Sequence, residues 1–330
     1  MPCFFSECAP MGELQRFGTA LAGLYAYHFL WDQLAIRPVA RWMVRTHFIT
    51  KDKFDKMRES LWKNAAVGTF FLLGLYIGHD KDWFMNPKGY FIEFPYEAPE
   101  ILKWYYMIYL AFWFQSIDFM LSLTSKQYTV KRKDNTEMLV HHFATISLML
   151  FSYYFDLTRI GMCVLMIHDI NDLLLESAKV FVYSENELIA NILFGTFALV
   201  WFLVRWGFFS YNILYSVYTN GWNEIVQPSY DKGEYLGMKP QIWYALWWIF
   251  FGFLSLLLVL HIYWGILIVK MVIKALGDGN VEKDIRSDSE AEEDEIANDK
   301  IVGEQDDGSS SDSAPVANGK PKRRRAPKAE

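Results

Sequence analysis

Seven stretches of about twenty mostly apolar residues, separated by polar segments, decide what this chain can become. They run roughly over 13–31, 61–78, 101–123, 138–156, 159–181, 188–210 and 241–269. A helix of that length spans the hydrocarbon of a bilayer. The expected fold class is therefore all-α: a polytopic membrane protein with about seven transmembrane helices. The fifth stretch is the weakest, because it carries His168, Asp169, Asp172, Glu176 and Lys179. A helix with that load can cross a membrane only if its neighbours bury the polar face inside a bundle; its alternative is a helix lying in the interface.

Charge separates the body from a tail. The sequence is 52% hydrophobic and 18% aromatic, yet its mean hydropathy is only +0.07. From residue 276 onward it holds fifteen acidic and nine basic residues, which accounts for the whole net charge of −6. The acidic balance thus describes the tail, says nothing about a substrate, and gives no reason to expect a nucleic acid partner. Cys3, Cys8 and Cys163 are odd in number and fit neither a disulfide framework nor a zinc spacing.

Basic residues set the orientation. Arg37, Arg41, Arg45, Lys51, Lys53, Lys56 and Arg58 follow the first span, and Lys126, Lys131, Arg132 and Lys133 follow the third. The connections after the second and sixth spans hold only Lys81 and Lys88, and Lys232 and Lys239. This pattern places the N-terminus outside the cytosol and the C-terminus inside it. The first span reads as an uncleaved anchor, since its basic flank is thin and no small-residue cleavage site follows. Three regions result: an N-terminal anchor with a basic cytosolic loop over 1–60, a helical body over 61–275, and an acidic tail over 276–330 expected to be disordered. Within the tail, Ser287 and Ser289 stand in an acidic context that suits an acidophilic kinase. The basic run from Lys320 to Arg325 fits anionic lipid or a trafficking receptor.

Two polar clusters interrupt the apolar body: His141 and His142 near the start of the fourth span, and His168, Asp169 and Asp172 in the fifth. Ionisable groups inside a membrane are costly and usually face a cavity where they act. On a helix Asp172 shares a face with His168, four residues away, and with Asp169, three away. An aspartate one turn from a histidine can orient its ring, as in acid–base and nucleophilic sites. His141 and His142 diverge by about 100°, so only one is expected to point squarely into a given pocket. Counted from the cytosolic ends of the apolar runs, the pair should lie about 5–6 Å deep, Asp172 about 14 Å and His168 about 20 Å. Of seven histidines (His28, His47, His79, His141, His142, His168, His261), none form the short-spaced boxes of membrane di-iron oxygenases. One metal held by His141 or His142 with His168 and Asp172 stays open as a rival, as does interhelical hydrogen bonding alone.

The residues from Gln115 to Lys179 resemble the ceramide synthase (longevity-assurance) family, within the TRAM–longevity-assurance–CLN (TLC) superfamily. The resemblance rests on Gln115, Asp118 and Phe119; Lys131, Arg132, Lys133 and Asp134; Met138, His141 and His142; Ser152 and Tyr153; Arg159 and Gly161; and His168, Asp169, Asp172, Glu176, Ala178 and Lys179. Weaker similarity continues through Arg205, Tyr263 and Trp264. Asn171 departs from the small residue that relatives often carry there.

The resemblance implies N-acylation of a sphingoid base (sphinganine or sphingosine) by a fatty acyl-CoA in the endoplasmic reticulum membrane. It implies six helices around a lipid-filled cavity, plus an N-terminal span. It assigns catalysis to His141, His142, His168, Asp169 and Asp172, with no metal and no bound cofactor beyond acyl-CoA as co-substrate. The imidazole acts either as nucleophile toward the thioester or as general base for direct attack. Lys131, Arg132 and Lys133 can receive the phosphates of the acyl donor or simply form a positive-inside loop. Membrane lipids are expected partners, and a homo- or hetero-dimer is left open. The alternative function is a non-catalytic lipid-handling or translocation-associated protein of the same superfamily.

Overall fold

The computed structural model describes residues 10–121 and 135–278, and among these no strand forms. Lys131, Arg132, Lys133, Ser287 and Ser289, with the tail from 279 onward, lie outside the described residues. Helix α1 (Pro10–Trp31) runs through a π-helical turn, Asp32–Ile36, into α2 (Arg37–Arg45). Next come α3 (Phe54–Gly78), α4 (Glu100–Met120), α5 (Asn135–Tyr154) and α6 (Thr158–Tyr183). Helix α7 (Glu187–Val200) continues through π-helical segments Trp201–Tyr215 and Val217–Val226 into α8 (Gln227–Lys232). Helix α9 (Pro240–Asp278) closes the body.

Each expected span coincides with a helix over most of its described residues. Lys51–Gly78, Glu187–Lys232 and Pro240–Ala275 are long and apolar enough to cross a membrane on length and composition alone. The other four expected spans form α1, α4, α5 and α6, of 22, 21, 20 and 26 residues.

Two segments read as loops are helical. In 32–60, Ile36, Ala40 and Met43 are buried while Arg41 and Arg45 face outward, so a basic run conceals an amphipathic helix. Its start is fixed by Asp32, which accepts from Arg37 Nε at 2.6 Å and from Arg58 Nη2 at 2.8 Å. After the sixth span the helix persists to Lys232, where Gly233 takes the left-handed φ of +71° that ends it. Buried Ile213, Val217, Ile225 and Val226 keep that stretch packed and helical.

Packing brings α3 against α6, α6 against α7, α1 against α4, and α9 against α5 and both π-helical segments. Several residues of the resemblance serve this architecture. A Cβ on Gly161 would collide with the Tyr106 hydroxyl, so glycine leaves room for that side chain between α4 and α6. Tyr106 donates to the Thr158 carbonyl at 3.1 Å and accepts from Ser152 at 3.2 Å. Arg159 Nη1 donates to the Ile92 carbonyl at 2.7 Å and tethers the connection between α3 and α4. Asp118 accepts from the Tyr25 hydroxyl at 2.5 Å, joining α4 to α1.

Candidate active site

A cavity of about 220 Å³ opens between α3, α4, α5, α6, the first π-helical segment and α9. His141, His142, His168 and Asp172 all line it. The sequence expectation that one histidine of the pair would face elsewhere is corrected: both rings reach the same cavity. Their centroids are 5.9 Å apart, and Trp113 presents its indole to both, at 5.5 and 5.1 Å. The broad indole fills the 100° sector between the two side-chain directions.

The expected depths are corrected too. The His141 and His168 rings stack at 6.5 Å with an interplanar angle of 24°, so their levels differ by no more than that distance. α5 and α6 form a hairpin, and its turn is the common ruler. His141 lies thirteen residues before the end of α5 and His168 ten after the start of α6, about 20 and 15 Å from the turn. α6 projects about 9 Å past the start of α5. Depths measured from each helix's own far end therefore referred to different levels.

Neither aspartate orients His168 as the spacing suggested. His168 Nδ1 lies 2.7 Å from the Val164 carbonyl and Nε2 lies 2.9 Å from His261 Nε2. A carbonyl only accepts, so His168 carries its proton on Nδ1. In the neutral pair His261 Nε2–H then donates to the His168 Nε2 lone pair. Asp172 instead accepts from Arg205 Nη2 at 2.9 Å, and Arg205 also donates to the His168 carbonyl at 3.0 Å. The Asp172 side chain is 42% exposed, to the cavity it lines. Asp169, one residue on from His168, points away from the main cavity. It lines an adjoining void of about 40 Å³ and accepts from the Tyr109 hydroxyl. That void also holds His168, Asp172, Leu148, Leu254 and Leu257, so the polar cluster grades into apolar walls.

His141 differs from His168. Its Nδ1 is buried and meets no hydrogen-bond partner, while Trp113 and Trp264 pack edge-on against its ring at 5.5 and 5.4 Å. It is a histidine with a nitrogen to offer, whereas both nitrogens of His168 are engaged. At the cavity's polar end Lys179 pairs with Glu176 at 2.9 Å and Ser60 donates to Glu176 at 2.7 Å. Lys63 and Glu59 pair beside them. Among the described residues no group of three or more His, Cys, Asp and Glu is arranged to hold a metal ion.

Sequence reasoning missed His261. It sits 93 residues from His168 in the largely apolar middle of α9, fully buried. Its carbonyl accepts from the indoles of Trp206 at 3.1 Å and Trp201 at 3.3 Å. Only the rarity of a histidine in such a span hinted at a role. His261→Ala removes the donor to a buried nitrogen, so it is expected to cost about 1–3 kcal/mol of stability. His261→Gln retains an N–H donor and should lose less. Thermal unfolding of the detergent-solubilised protein checks this, and equal losses would show that the hydrogen bond is not what matters.

Comparison with known proteins agrees with this architecture. The TLC domain matches residues 56–270, which contain all the cavity's histidines and every lining residue but Met271. The chain is 31% identical to "Ceramide synthase LOH2" of Arabidopsis thaliana over 298 residues, covering 86% of this chain and 95% of that protein. It is 32% identical to "ASC1-like protein 3" of Oryza sativa subsp. japonica, covering 82% and 93%. It is 32% identical to human "Ceramide synthase 5" over 79% of this chain and 61% of that longer protein. With the TLC domain matched over more than half the chain and these identities sustained across most of it, the chain belongs to the ceramide synthase family of TLC-domain membrane proteins.

Proposed function

We propose that this protein is a ceramide synthase, transferring a fatty acyl group from acyl-CoA to the amino group of a sphingoid base in the endoplasmic reticulum membrane. The observation that carries the reading is His141: a buried imidazole with an unpartnered Nδ1, lining a cavity that continues into apolar walls. A thioester carbonyl must meet such a nitrogen while a long acyl chain is kept from water. His141 is the nucleophile, forming an acyl-imidazole and releasing CoA. His142 shares the cavity and completes the acyl-accepting face. Asp172, held by Arg205, supplies the negative charge that meets the incoming ammonium; His168 walls the site opposite His141, and Asp169 with Tyr109 holds α6 against α4. Expressing the chain in cells lacking ceramide synthases and profiling lipids by mass spectrometry tests the activity. Restored (dihydro)ceramide supports it, and its absence with the protein correctly inserted refutes it.

In this reading the N-terminus is lumenal and CoA leaves to the cytosol, because the basic residues of α2 and early α3 mark the cytosolic side. A cysteine introduced at Lys56 is then expected to react with an impermeant reagent in sealed microsomes. One at Lys88, between α3 and α4, should be protected until detergent is added. The reverse pattern would invert the model.

A further inference from the structure

Arg205 is a charged group of the cavity wall whose donors are only partly used. Its Nη2 serves both Asp172 and the His168 carbonyl. Its Nε is shut away from solvent and meets no acceptor. The side chain is 4% exposed, yet it lines the same cavity as His141 and His142. Trp201 covers one face of the guanidinium at 4.5 Å, which holds it rigid. Holding Asp172 and the His168 carbonyl needs only one nitrogen. A buried donor left without an acceptor is costly, and this one, unlike the equally unpartnered Arg159 Nε, belongs to a residue that lines the histidine cavity. The segment that carries it, Trp201–Tyr215, is π-helical, a geometry that recurs at functional sites.

The chemistry supplies a reason for that open donor, given the acyl-transfer reading above, on which this inference rests. When the His141 nitrogen lone pair adds to the thioester carbon, a C–N bond forms and the C=O π pair moves onto oxygen. A full negative charge appears there. Collapse restores C=O and breaks C–S, and the pair leaves on sulfur as the CoA thiolate. The sphingoid ammonium first gives up one proton. Its amine then adds to the acyl-imidazole, regenerates the oxyanion, and expels imidazole with loss of a second proton. One of the two protons neutralises the thiolate, and one is released. Direct attack by the amine forms a different adduct, with nitrogen and sulfur on the same carbon, but it too places the negative charge on the carbonyl oxygen.

We propose that Arg205 stabilises this oxyanion through its Nε–H, as a preorganised cation fixed by Asp172 and Trp201. Such donors act where charge develops and strengthen in a dry site. The test uses the full-length protein in lipid nanodiscs, with wild type, Arg205→Ala and Arg205→Lys. A thioether analogue of acyl-CoA, with the carbonyl replaced by CH2, serves as a ligand that cannot form an oxyanion. Arg205→Ala is expected to lower turnover by about 10²–10³-fold. It should bind the thioether within about threefold of wild type, since the lost interaction exists only in the transition state. Added guanidinium should recover part of the Arg205→Ala rate and none of a His141→Ala rate. Should the alanine variant fail to fold, Arg205→Lys decides. It keeps the charge and the pairing to Asp172 but loses the guanidinium fork, so turnover should fall with thioether binding retained. Wild-type turnover in Arg205→Lys would overturn the proposal. So would an Arg205→Ala protein that loses thioether affinity as much as rate and ignores guanidinium, which would assign Arg205 to holding Asp172 alone. A wild-type protein inactive toward every sphingoid base would instead refute the acyl-transfer reading itself.

Discussion

His141→Ala is expected to lower N-acylation by about 10²–10⁴-fold while leaving an inserted, folded protein. The imidazole lies at the wall of an existing cavity, and its Nδ1 bonds to nothing, so truncation orphans no polar partner. The packing lost is against the edges of Trp113 and Trp264, which remain packed against other neighbours. Rate and stability should therefore separate. The same variant addresses the chemical route. Wild-type protein given acyl-CoA alone should release CoA in a burst and gain the mass of one acyl group on the peptide carrying His141 and His142. That adduct should vanish on adding sphinganine and be absent from His141→Ala. Intact-protein mass spectrometry reads the result. An unmodified mass in a preparation active with both substrates would move the assignment to general-base catalysis by the same ring.

Asp172→Ala should behave differently, losing stability as well as activity. Asp172 is the carboxylate that Arg205 hydrogen-bonds, and the Arg205 side chain is 4% exposed. Removing Asp172 leaves the buried Arg205 guanidinium uncompensated; for a fully buried pair that costs about 3–5 kcal/mol, and here only the arginine is fully buried. The open cavity beside Asp172 admits some relief, which favours the lower end. For a protein of this size about 3 kcal/mol corresponds to a fall of roughly 4–6 °C in Tm. Thermal unfolding in detergent measures it, and the Asp172→Leu, Arg205→Met double variant should regain part of the loss. An Asp172→Ala protein as stable as wild type would show that the pair contributes nothing to the fold.

The helices were legible because each apolar run announces its own burial, and the site because ionisable groups such as His141, His168 and Asp172 are conspicuous in such runs. What failed had a common physical origin: quantities that depend on another helix. The basic residues of 32–60 hid Ile36, Ala40 and Met43, whose burial exists only against the bundle. The level of His168 against His141 follows from the turn between α5 and α6, not from where hydropathy falls off. The i, i+4 relation of His168 and Asp172 is real on the helix, but two residues from remote helices, His261 and Arg205, compete for those side chains and win. Spacing within one helix proposes partners; packing between helices chooses them.

The place of His261 on α9 has a consequence for the order of events during synthesis. The paired histidines and the His168–Asp172 stripe leave the ribosome on one hairpin, with about eighty residues still to be made before His261. At that stage His168 has no partner for its Nε2, and the cavity lacks the wall that Trp264 provides. Both arrive only with α9. On the proposed reading, a chain made only as far as α6 holds His141 without that enclosure, and the site closes only once α9 has formed.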